Sequence, residues 1–265
     1  MYVGTGEGWS NLDAQRGAGV WKSSNGGAGF ERLSSTNNST FYHVQKIVVN
    51  QTGVYVATKA GGVMRSTDGG LTFVKVLGST VPIGASNQIS DLEIGADGTI
   101  YAGIGIFTTG SIWKSKSGNA NSWTKLNNGT NGFPTSGFER VEIAVAPNDS
   151  NVIYAITQDA STNGLYNIYY SSNKGSSWTT CTKPADADSG IPADDYTRTQ
   201  AWYDLSAAVD PNNASTILIG GVDLFKSTNA GTSWSQISHW YGGFSFPDVH
   251  ADQHVITFKD RKSVV

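Results

Sequence analysis

Asp91, Glu142, Asp204 and Asp252 are the residues whose type and spacing point to acid–base chemistry. Cleavage of a glycosidic acetal takes two carboxyl groups roughly 5 to 9.5 Å apart, one protonated as acid and one ionised as base or nucleophile. Sequence alone singles out no pair among the four, and each also reads as a polar residue facing a wet channel. The densest run is Asp248-Val249-His250-Ala251-Asp252-Gln253-His254. If extended, it puts His250, Asp252 and His254 on one face at period two, about 6.6 Å apart, where two of them could share a metal ion. The alternative is a set of hydrogen-bonded histidines with no cofactor. Trp9, Trp202, Tyr203 and Trp240 lie outside the repeated segments, where flat rings could stack on sugar faces, and Arg140 stands beside them as a substrate-binding candidate. Their other reading is ordinary packing.

These side chains must be held by a repeating scaffold. An octapeptide of the form Ser-x-Asp/Asn-x-Gly-x-Ser/Thr-aromatic recurs roughly every fifty residues, the size of a four-stranded blade. Copies span 23–30, 66–73, 115–123, 171–178 and 227–234, the third with one extra residue. Ser66-Thr67-Asp68-Gly69-Gly70-Leu71-Thr72-Phe73 is the clearest. Its Asp or Asn can accept backbone N–H groups two residues on, and its Gly can take a positive φ, so the motif reads as a staple. Between copies come a first strand (Lys46–Val49, Asp91–Ile94, Glu142–Val145, Ala207–Val209) and, after a turn, a Tyr-bearing or apolar second strand (Val54–Thr58, Ile100–Gly103, Val152–Ile156, Thr216–Gly220). Tyr2–Thr5 matches the second strands at the front, and Val255–Phe258 reads as one more first strand. In a propeller the first strands line the channel, which is where the four carboxylates and Arg140 fall.

The octapeptides resemble the Asp-box, or BNR, repeats of sialidase-type and xyloglucanase-type propellers and of the sortilin luminal domain. The wider wording, Tyr2-Val3-Gly4-Thr5-Gly6-Glu7 with Gly19-Val20-Trp21-Lys22-Ser23, most resembles secreted bacterial BNR-repeat glycosyl hydrolases. The resemblance implies an all-β, incomplete β-propeller over residues 1–259, with about five four-stranded antiparallel blades of seven or more. It implies an extracellular or cell-surface protein acting on a polysaccharide or oligosaccharide through paired carboxylates. A non-catalytic protein- or peptide-binding propeller, resembling sortilin or an assembly factor, is the competing expectation. Residues 260–265 break the pattern and read as a non-native tail.

Composition agrees with a packed β chain. The 265 residues include 32 Gly, 8 Trp, 11 Tyr and 10 Phe but only 15% charged residues, which disfavours both disorder and long helices. A net charge of −3 supplies no basic field for nucleic acid, and no apolar run is long enough to span a membrane as a helix. Cys181 has no second cysteine to pair with and reads as a small buried hydrophobe. A monomer is expected.

Overall fold

The computed structural model describes residues 1–9, 11–82 and 84–258; the expected 260–265 tail lies outside them. Five antiparallel sheets follow one another along the chain, each a meander in sequence order. The first has three strands, β1 (Tyr2–Gly4), β2 (Val20–Lys22) and β3 (Glu31–Arg32). The second comprises β4 (Val44–Asn50), β5 (Gly53–Thr58), β6 (Gly62–Ser66) and β7 (Val74–Leu77). The third comprises β8 (Ile89–Ile94), β9 (Ile100–Ile104), β10 (Ser111–Ser115) and β11 (Thr124–Lys125). The fourth comprises β12 (Phe138–Val145), β13 (Ile153–Asp159), β14 (Leu165–Ser171) and β15 (Thr179–Thr180). The fifth comprises β16 (Ser206–Asp210), β17 (Asn213–Gly220), β18 (Leu224–Ser227) and β19 (Ser235–Gln236). These are propeller blades. Every expected first and second strand of these sheets forms, but Val255–Phe258 does not: no strand is assigned there.

Contacts divide the chain into two compact units, one of residues 1–127 with 139–141 and one of 128–138 with 142–265. Inside the first, the aliphatic residues of β5, β8 and β9 bury Tyr55, Leu92, Ile100 and Ile104 completely. Inside the second, Tyr154, Ile156, Ile168, Ile217, Ile219 and Phe225 close the space between the fourth and fifth sheets. Within each unit, second-strand tyrosines also tie neighbouring sheets together, because a long ring can be buried while its hydroxyl reaches a carbonyl. Tyr2 donates to the Gly69 carbonyl at 3.1 Å and Tyr154 to the Ala214 carbonyl at 2.9 Å.

Four of the five octapeptides are hydrogen-bonded staples of one design, and the longer copy at 115–123 instead pairs Ser115 Oγ with Ser122 Oγ at 2.6 Å. In the clearest, Ser66 Oγ donates to Asp68 Oδ1 at 2.7 Å and accepts from the Gly70 N–H at 2.8 Å, while Asp68 Oδ1 accepts from the Thr72 N–H at 3.0 Å. The copies at Ser23, Ser171 and Ser227 repeat all three bonds. The acidic or amide side chain thus reaches a donor four residues on rather than two, and the serine is an equal anchor. Gly231 shows why the glycine is required: its φ is 78°, and a Cβ there would stand 2.5 Å from Cys181 Sγ. Cys181 itself is half-buried beside that turn, and burial pushes its thiol up to about 12.

Candidate functional site

In the first unit, β4 and β8 pack side by side, and the alternation of β8 puts Asp91 and Glu93 on one face. Lys46, from β4, reaches both: its Nζ lies 3.0 Å from Asp91 Oδ1 and donates to Glu93 Oε1. The two carboxyls sit in different surroundings. Asp91 is 2% exposed and accepts the Leu92 N–H at 2.8 Å, whereas Glu93 keeps a quarter of its side chain open to solvent. Burial, with the charge of Asp91 adding to it, holds the Glu93 carboxyl above the usual glutamate range despite Lys46. A shared ammonium therefore brings together two ion-paired carboxyls, of which burial pushes the glutamate's upward.

Nearby on β12, burial likewise raises Glu139, and the Arg140 guanidinium lies 3.8 Å over the Trp9 ring. Trp9 is half-buried by this contact, so its ring face is covered by the arginine that sequence placed beside it as a fellow ligand.

The second unit holds a different cluster. The loop after β15 supplies Asp186, Asp188 and Arg198, the turn before β18 supplies Asp223, and the segment after β19 supplies Ser238 to Phe244. The Asp186 and Asp223 side chains are fully buried, and Arg198 spans them, 3.3 Å from Asp186 Oδ2 and 3.4 Å from Asp223 Oδ2. Burial, then the charge of Asp186, raises the Asp223 carboxyl above its ordinary value, although Ser238 Oγ donates to it at 3.2 Å. His239 is completely buried, and neither of its ring nitrogens has a hydrogen-bond partner. Its Nε2 stands 3.8 Å from Asp186 Oδ1, too far for a hydrogen bond. Outside this cluster, Trp240, Tyr241 and Phe244 are each between 43% and 51% exposed. Tyr241 and Phe244 pack on the His239 ring at 4.2 and 4.6 Å, Trp240 faces the Arg198 guanidinium at 5.5 Å, and Tyr241 donates to Asp188 Oδ2 at 2.6 Å. That bond holds Asp188 below the usual carboxylate range.

The remaining sequence candidates are distributed as follows. Glu142 is buried on β12, and Asp204 is completely buried in the turn before β16. Trp202 and Tyr203 pack on each other at 5.3 Å, with His254 edge-on to Tyr203 at 4.6 Å. The period-two face of His250, Asp252 and His254 does not form. The segment is not a strand, Asp252 takes a φ of 69°, and the His250 ring turns to the Ala251 carbonyl at 2.6 Å. Among the described residues, the group whose ligand atoms converge is Asp186, Asp223 and His239 instead, all within 4.8 Å of one another. Sequence reasoning missed those three because they come from loops with no periodic pattern. Glu93 was within reach, since a strand that presents Asp91 presents Glu93 on the same side.

This fold is shared with solved propellers. A GH74 enzyme of Niastella koreensis superposes with a TM-score of 0.61 at 22% identity, over 82% of this chain and 34% of its own. The extracellular domain of the BT4673 system of B. thetaiotaomicron gives 0.61 at 12% identity, over 97% of this chain and 30% of its own. YCF48 bound to D1 peptide gives 0.50 at 14% identity, over 83% and 62%. The chain thus spans about a third of the length of the first two structures. No protein-family model and no curated protein matches the sequence. What the fold defines is a β-propeller of four-stranded antiparallel blades. Among the described residues no helix is long and apolar enough to cross a membrane.

Proposed function

We propose that this chain belongs to a carbohydrate-active propeller of the glycoside hydrolase kind, exported to the cell exterior, whose octapeptides are Asp-boxes. The observation that carries the proposal is the carboxyl pair of β8. Glycosidic cleavage needs one carboxyl that retains its proton and one that does not, close together. Glu93, partly open to solvent and raised by burial, is the proton donor; Asp91, on the same strand face and sharing the Lys46 ammonium with it, is the second carboxyl. The fold shared with GH74 enzymes, two of which come from Niastella koreensis and Xanthomonas campestris, supports a polysaccharide substrate. The exposed rings of Trp240, Tyr241 and Phe244 give the second unit a surface on which pyranose faces can stack.

The experiment is reducing-sugar release from xyloglucan, cellulose, mixed-linkage glucan and sialoglycans by the folded chain. Release from a β-glucan supports the hydrolase, with Glu93→Gln silent. Silence across the panel favours the second reading, a peptide-binding propeller. That reading has its own support in the fold shared with YCF48 bound to D1 peptide, and in the same exposed aromatic surface, which also suits a peptide.

A further inference from the structure

The loop cluster of the second unit bears none of the hydrolytic chemistry just described. We propose that Asp186, Asp223 and His239 form a binding site for one divalent transition-metal ion of the zinc type, which locks the aromatic segment 239–244 onto the loop after β15. Three observations converge on it.

The first is charge. Two carboxyl groups with fully buried side chains share one guanidinium, that of Arg198. Two buried carboxyls facing one cation leave room for a second, because a negative charge in such a place is expensive unless it is paired. The second is His239. A completely buried imidazole with both nitrogens unbonded forfeits its hydrogen bonds to water and recovers nothing in exchange, unless a ligand supplies the partner. The third is distance. Zinc bonds to His nitrogen and carboxylate oxygen at about 2.0–2.2 Å, so two ligands of one tetrahedral ion stand roughly 3.4 Å apart. The Nε2 of His239 and Oδ1 of Asp186 are separated by 3.8 Å, and with all three ligand atoms within 4.8 Å of one another the set needs to draw in by at most about 1.4 Å.

The surrounding contacts fit ligand positioning. Arg198 engages the Oδ2 atom of each carboxylate, and the Asp188 N–H and Ser238 hydroxyl donate to the Oδ1 atoms, fixing both carboxyls while leaving lone pairs for an ion. One nitrogen and two oxygens suit zinc, cobalt or manganese better than calcium, and three protein ligands leave a fourth position for water. The ring contacts of His239 with Tyr241 and Phe244 carry the restraint to the exposed surface.

The test is calorimetric titration of the chelator-treated full chain with zinc chloride, with thermal melts alongside. The expected result is one ion per chain, a melting temperature that rises with zinc, and at least about 100-fold weaker binding in His239→Ala. Because that variant empties a buried site, the near-isosteric Asp223→Asn carries the same expectation with the packing kept. His250→Ala is expected to bind as the wild type does. Absence of stoichiometric binding by the folded chain overturns the proposal, and so does unchanged affinity in Asp223→Asn. Loss of binding in His250→Ala would move the ion to the 250–254 segment and overturn it as well.

Discussion

Replacing Arg198 by Met removes the cation that spans two fully buried carboxylates, while keeping a chain of similar length. Breaking a buried pair by deleting one partner costs about 3–5 kcal/mol, because the orphaned charge stays desolvated. Here two carboxyls lose their cation at once. For a chain of this size each kcal/mol moves the melting temperature by about 2–4 °C, so the expected drop at pH 7 is roughly 10 °C. The pH dependence is the sharper signature. Asp223 has a folded-state pKa above its ordinary 3.8, so the native state holds a proton that the unfolded chain releases. Stability from such a group is greatest below the unfolded value and falls as pH rises through the raised one. Without Arg198 the Asp223 carboxyl rises further, so the variant should lose much less at pH 5 than at pH 7 relative to wild type. Melts followed by circular dichroism at the two pH values check this, in chelator so that no metal compensates. A drop under 2 °C at pH 7, or an equal drop at both, would refute the reasoning.

Other perturbations follow from the same structure. Ser227→Ala strips the acceptor from the buried Gly231 N–H and should cost about 1–3 kcal/mol in urea unfolding, with the slope unchanged. Cys181, with its thiol pushed up to about 12, should react with a thiol reagent at pH 8 at least about 100-fold more slowly in the native chain than in denaturant. Trp240→Ala should weaken polysaccharide binding at least about 10-fold in affinity electrophoresis while shifting the melting temperature little, since the ring is 43% exposed.

The blades were legible because two local signals agree along the chain: alternation at period two in segments such as 54–58 and 153–156, and the Ser–Asp/Asn–Gly staple that closes four of the turns with the same three bonds. Asp91 was legible as a first-strand carboxylate; Glu93, two residues on, was missed although it shares that face, and its contact with Lys46 emerged only from the packing of β4 on β8. Loop chemistry was not. Asp186, Asp223 and His239 lie far apart in sequence and meet only through tertiary packing, and the run from His250 to His254 misled because a left-handed residue, Asp252, breaks the extended backbone its spacing assumed.

Turnover of a soluble β-glucan by the wild type and by Glu93→Gln, with binding of the same polymer measured in parallel, tests the central claim most directly. Removing the proton donor should lower kcat by about 10²–10⁴-fold with affinity retained, and wild-type activity should fall as pH rises through the raised Glu93 value. Equal turnover in Glu93→Gln, or a folded wild type that binds the polymer and never cleaves it, would contradict the account.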